Sequence, residues 1–320
     1  MSTIKVRTGN DLQIALHHYG KHQGKPVHPS VLYVHGATFP SALSVGFRFD
    51  GFSWADDLTQ AGFDVWSFDF IGFGESDRAA ADTKGEIPGR FANALLQVEA
   101  AALEVLRQTS AERLSIIAHS WGTLPAGGFA ATRPELVEKL VLFGPIAKRD
   151  GSGETPAMQA TRTITLQDQY DRFVADVPRG ETPVLSDAHF AEWGEVYLAS
   201  DAESASVSPS AVTVPAGPAM DMATTWKGQF PYDPAKVQAP VLIVRGEWDS
   251  LTTDQDAAWL YNAFANAPEK QDTKLSRATH LTHLESGRFS LYRASRNFLA
   301  SEPSWATEKA APPAKPMKII

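Results

Sequence analysis

The chain contains no cysteine, which excludes disulfides, thiolate-held metals and a cysteine nucleophile from its chemistry. It also lacks an excess of positive charge: 29 Lys and Arg stand against 37 Asp and Glu, a formal net charge of −8. That balance provides no electrostatic footprint for nucleic acid or an anionic membrane surface. Long apolar runs are missing too. None approaches the ~18 residues that a membrane span requires, and the amino-terminal "MSTIKVRTGNDLQIALHHYG" has no uninterrupted apolar stretch of the kind found in a secretory signal. The expectation is a cytoplasmic protein with no membrane span. There is no H-E-x-x-H, and the glycines of "GFGES" do not make G-x-G-x-x-G, so neither a metal nor a nucleotide cofactor is expected. A small molecule is left as the expected partner.

What is present is a large apolar inventory, 43% of 320 residues, enough for one sizeable α/β domain or a domain with a substantial insertion. "IKVRTGNDLQIALHHYG" alternates on either side of a Gly-Asn turn and reads as a hairpin at a sheet edge. "VLYVHG", "DVWSFDF", "LSIIAHS", "KLVLFG" and "VLIVRGEWD" are short continuous apolar runs, the pattern of parallel strands buried on both faces. Between them, "FSWADDLTQAG" reads as a helix closed by Gly62, and "RFANALLQVEAAALEVLRQT" repeats at helical spacing. The fold class is therefore α/β, a mostly parallel sheet flanked by helices on both faces. From 145 to 235 the rhythm gives way to Gly-, Pro- and Ser-rich stretches with short helical pieces, which predicts an inserted, mainly helical cap. Residues 1–144 and 236–302 then form the core, and 303–320 a loose tail.

The polar residues gather where the apolar runs end, the edge at which such sheets bind ligands. In "LSIIAHSWGTLPAGG" a strand meets Ser120 and small residues follow. Ala118 and Gly122 flank the serine at the spacing of G-x-S-x-G, which lets a strand and a helix approach closely around an exposed hydroxyl. A turn serine that caps a helix is the competing reading. A nucleophilic serine needs a base and an orienting acid, and Asp249 in "VLIVRGEWDS" and His280 in "KLSRATHLTHLESG" supply them in the order Ser, Asp, His. Glu247 and His283 are rivals within three residues, His283 being placed at the opening of the last helix. Oxyanion donors are expected from the N–H groups of Trp121 and Ala37, with Thr38 as the alternative to Ala37. His35 is read chiefly as a brace of the "HGATFP" loop. Substrate contacts are expected from His35, Thr38, Phe39, Trp193, Met220 and Trp226.

The ordered set "HGATFP", "DFIGFGESD", "AHSWGT", "GEWDS" and "ATHLTHLE" resembles the α/β-hydrolase superfamily from Ile4 to Ala300. The resemblance implies a capped serine hydrolase and a structural role for Asp69, Ser76 and Asp77. Serine at the nucleophile position argues against haloalkane dehalogenases and epoxide hydrolases, which carry Asp there. The expected activity is cleavage of a carboxylic ester of a small to medium, partly apolar substrate through an acyl-enzyme. Lactonase, amidase, proline iminopeptidase-like or carbon–carbon hydrolase activity with the same residues stays open, as does a non-catalytic ligand-binding protein.

Overall fold

A computed structural model of the chain describes residues 1–9, 11–20, 28–78, 87–152 and 159–302; the tail expected over 303–320 lies outside the described residues. The chain opens with strands β1 (Ser2–Arg7) and β2 (Gln13–Gly20), followed by β3 (Val31–Val34), helix α1 (Trp54–Gln60), β4 (Val65–Asp69), α2 (Phe91–Thr109), β5 (Leu114–His119), α3 (Thr123–Thr132) and β6 (Val137–Phe143). Away from the main sheet come β7 (Thr161–Thr165), α4 (Leu166–Val174), α5 (Asp187–Ala199), β8 (Ala211–Pro215) and α6 (Gly217–Thr225). The sheet resumes with β9 (Val241–Gly246), α7 (Asp254–Ala263), β10 (Lys270–Leu275) and α8 (Arg288–Ala300).

The eight-stranded sheet runs β1-β2-β4-β3-β5-β6-β9-β10. β1 and β2 form the expected antiparallel edge hairpin, with Ile4 opposite Leu16. β2 also pairs antiparallel with β4, and from β4 across to β10 each adjacent pair is parallel. Period-two alternation explains why the central strands read as unbroken apolar runs. Leu32, Val34, Ile116, Ala118, Leu140 and Leu142 enter one core, which receives α2, α3 and α7 through Val98, Phe129 and Leu260. Their sequence neighbours Val31, Tyr33, Ile117 and Val141 enter the other, closed by Trp54 and Leu58 of α1 and by Leu291 and Phe298 of α8. The chain crosses from β4 back over β3 to β5, so the strand order reverses between β3 and β5. Their carboxyl ends frame a crevice there.

Three details depart from the sequence reading. The segment between β6 and β9 is mainly helical, but it also contains an antiparallel pair, β7 against β8, with Thr163 opposite Thr213. Gly62 stands one residue past the helix cap: Ala61 closes α1, and Gly62 follows with φ +99°, the left-handed turn that glycine adopts at little cost. His283 does not open the last helix. It sits in a single 3-10 turn, Thr282–Leu284, after which Glu285 is extended (ψ 171°), and α8 starts at Arg288.

Candidate active site

β5, buried along its whole length, runs into a 3-10 turn over Ser120–Gly122 and then into α3. Ser120 takes φ +56°, a left-handed conformation that costs a non-glycine residue ~1–3 kcal/mol and is held only when the surroundings impose it. The surroundings do so through small neighbours. A methyl group on Gly122 would run into the His35 carbonyl oxygen, and one on Gly36 would come within 3.1 Å of the Ser120 Cβ. The turn is therefore wedged against the loop after β3 with no room for side chains on either side.

His280, in the loop after β10, brings its Nε2 to 2.8 Å from the Ser120 Oγ. Its Nδ1 lies 2.9 and 3.1 Å from the two oxygens of Asp249, which follows β9. This network assigns the proton to Nδ1, donated to the carboxylate, and leaves Nε2 as an acceptor for the serine hydroxyl. Burial pushes the Asp249 carboxyl upward. The adjacent His280 and the N–H groups of Leu251 (2.9 Å) and Thr252 (3.0 Å) outweigh that effect and hold it below the usual carboxylate range. Gly144, at the end of β6 with φ +54°, leaves space for the imidazole; a methyl there would sit 2.9 Å from it.

The rivals are placed elsewhere. Glu247 is exposed and accepts the N–H of Arg277 at 3.0 Å. His283 is buried with neither ring nitrogen hydrogen-bonded, and burial, followed by the nearby His280, pushes its pKa down to about 3. A residue not singled out from the sequence also contributes: His119 Nε2 donates to the His280 carbonyl at 3.0 Å and fixes the backbone that carries the base. Its adjacency to Ser120 was the available signal, but its partner lies 161 positions away.

The loop after β3 forms the opposite wall. His35 Nδ1 donates to the Gly36 carbonyl at 2.7 Å, and its Nε2 accepts the Phe70 N–H at 2.9 Å. Burial lowers its pKa to about 4, so the ring is a neutral brace. Asp69 ties down the same loop by accepting the N–H and hydroxyl of Ser41 at 2.9 and 2.8 Å, while His17 donates to it from β2 at 3.0 Å. Ser76 donates its hydroxyl to the Asp69 carbonyl. The Ala37 N–H and the Thr38 hydroxyl have no hydrogen-bond partner among the described residues, and both residues face the crevice.

A cavity of about 190 Å³ opens over Ser120. Ala37, Thr38, Phe39 and His280 line its floor, and Arg162, Gln169, Arg172 and Met222 its roof. Four expected contact residues lie outside it. His35 is consumed in bracing. Trp193 is fully buried behind Phe39, edge-on at 5.2 Å, with its indole N–H donated to the Leu43 carbonyl. Met220 lies two positions before Met222 on α6, a rotation of about 200°, so the two side chains point to nearly opposite sides of the helix. Trp226, past the end of α6, has its ring under the guanidinium of Arg149 at 5.0 Å. A larger cavity of about 700 Å³, between the Gly72–Gly74 loop and β8, contains none of Ser120, Asp249 and His280. The hydrogen-bonded chain, rather than volume, marks the candidate site. Among the described residues no cluster of His, Asp or Glu is arranged to hold a metal ion, and no helix is long and apolar enough to cross a membrane.

Residues 29–287 match the family described as alpha/beta hydrolase fold. The structure is similar to an esterase from Exiguobacterium antarcticum (15% identity, 94% of this chain and 100% of that one, TM-score 0.62). It is also similar to an enol-lactonase from Burkholderia xenovorans (15%, 93% and 100%, TM-score 0.59). A third similar structure is an epoxide hydrolase from Vigna radiata (14%, 93% and 97%, TM-score 0.62). No curated protein matches the sequence.

Proposed function

Because the chain belongs to the α/β-hydrolase fold family, we propose that it is a serine hydrolase that cleaves a carboxylic ester through an acyl-enzyme. The observation that carries this reading is the chain of short hydrogen bonds from Ser120 through His280 to Asp249, 2.8 and 2.9 Å, ending on a serine held at φ +56°. In this mechanism His280 takes the Ser120 proton as the oxygen attacks the ester carbonyl. The N–H groups of Ala37 and Trp121 receive the oxyanion, and His280 returns the proton to the departing alcohol. Water, deprotonated by the same imidazole, then releases the acid. Asp249, kept ionised, orients the ring and stabilises the imidazolium without taking its proton.

The epoxide hydrolase likeness does not transfer as an activity. The attacking residue would be a serine, which suits acyl transfer better than opening an epoxide. Residues 145–235 act in this reading as a cap whose inner side selects the substrate. The cavity is smaller than the ~300 Å³ at which pockets for drug-sized ligands begin, which favours a short acyl group.

The test is labelling by a fluorophosphonate probe together with turnover of matched methyl esters, lactones and amides. Labelling at Ser120, with esters preferred, is expected; Ser120→Ala should abolish labelling and lower kcat by ~10³-fold or more while the fold remains. An alanine variant that hydrolyses as fast as the parent would overturn the mechanism.

A further inference from the structure

The roof of the cavity over Ser120 presents hydrogen-bond donors without acceptors. Arg172 on α4 donates Nη1 to Asp176 at 3.1 Å, but its Nη2 is buried with no partner. Gln169, one turn earlier on the same helix and 2% exposed, has an unpartnered Nε2. Its amide lies beside the Tyr197 hydroxyl, which donates to the Ile164 carbonyl at 3.1 Å and offers the amide a lone pair short of full hydrogen-bond geometry. Arg162 on β7, exposed at the cavity mouth, completes the group; among the described residues no carboxylate lies within ion-pair distance of it, Asp168 acting on it from farther away. Among the described residues no Asp or Glu lines the cavity, although the chain as a whole carries a net charge of −8. Buried donors without acceptors are costly, and guanidinium groups cannot become acceptors. The arrangement is therefore incomplete until something supplies oxygen atoms.

We propose that this roof is a carboxylate-binding subsite, so that the ester cleaved at Ser120 carries a free carboxylate, as in a half-ester of a short dicarboxylic acid. The inference rests on the ester-hydrolase reading and adds the substrate class. Asp176 already balances Arg172, and Arg162, on which Asp168 acts only at longer range than an ion pair, supplies the further positive charge that a single carboxylate complements. A planar carboxylate can accept from the fork of Arg172 and from the Gln169 amide together. Phe39, Met222, Leu251 and Leu281 give the lining an apolar part that suits the methylenes between the two carbonyl carbons. The cavity volume of about 190 Å³ limits that spacer to a few carbons.

Two measurements test the inference separately from the reading it rests on. In the first, kcat/KM for monomethyl glutarate is compared with that for methyl valerate, its uncharged counterpart. The half-ester should be preferred by about tenfold or more, the scale of a charge-assisted hydrogen bond. The preference should fall toward one in Arg172→Gln and Arg162→Gln, return in part in Arg172→Lys, and survive in the remote surface variant Arg113→Gln. In the second, glutarate is titrated calorimetrically into Ser120→Ala, where saturable binding is expected and should be lost on adding Arg172→Gln or Arg162→Gln. Turnover of methyl valerate with no preference for the half-ester and no glutarate binding overturns the subsite and leaves the hydrolase intact. Glutarate binding that depends on the two arginines, without turnover of either ester, supports the subsite and overturns the hydrolase.

Discussion

Glu285, two residues past His283, is 1% exposed and accepts the N–H and hydroxyl of Thr279, the residue before the candidate base. Burial pushes its carboxyl up; the Thr279 hydrogen bonds pull the other way without cancelling it, and the pKa rises from 4.5 to about 7. A carboxyl whose folded pKa is raised binds its proton more tightly in the folded chain. Its contribution is fully present below about 4.5 and is lost as pH rises through about 7. Glu285→Gln, neutral throughout, should remove that loss. In urea unfolding between pH 4.5 and 8, the parent should lose up to ~3 kcal/mol more than the variant, and parallel curves would refute the assignment. At this scale Ser120, Asp249 and His280 were legible because each is marked by its own neighbours: a strand end, a glycine two residues on, an apolar run just before. Gln169 and Arg172 carry no such mark. In sequence they are polar positions on a short amphipathic helix, and only the way β7, α4 and the carboxyl end of β5 meet turns them toward Ser120. His35 braces its loop as its chief reading had it, whereas Trp193, Met220 and Trp226 lie outside the cavity, since residue type indicated burial or contact but not which surface each would meet.

Helices α1, α4, α5 and α7 begin with a side-chain cap. α7 shows it most clearly. Thr253 accepts the Asp256 N–H at 3.3 Å, while the Asp256 carboxylate accepts the Thr253 N–H at 2.8 Å, and Arg149 reaches the same carboxylate from beyond β6. That box sits directly after Leu251 and Thr252, whose N–H groups hold Asp249. Thr253→Ala should therefore destabilise the protein by ~1 kcal/mol, the usual worth of such a cap, read as a shift of the urea midpoint at constant slope. The central strands and helices α1 and α2 were readable because their periodicity is a direct record of two-sided or one-sided burial. β7 and β8 were not. "TRTIT" and "AVTVP" are short, and each satisfies its backbone with a partner some fifty residues away. Local pattern cannot announce such a pairing.

For the whole molecule, the sheet divides the apolar side chains into two bodies, one beneath α1 and α8 and one beneath α2, α3 and α7. The doubly covered sheet was legible from unbroken apolar strands, and the position of the crevice from where the polar residues gather. The relation of the inserted segment to the core was not, because it depends on packing between distant parts of the chain. Ile164, Phe173, Trp193, Tyr197 and Val214, all from between β6 and β9, belong to the same continuous apolar body as the strands and α2. The insertion thus shares its interior with the domain beneath it and has no separate one to melt around. Differential scanning calorimetry should record a single endotherm whose van't Hoff and calorimetric enthalpies agree; a separate low-temperature transition would show that the insertion unfolds alone. Such fusion implies that ligand exchange proceeds by breathing of side chains at the cavity mouth, because swinging the whole insertion away would wet the interior that keeps the sheet folded.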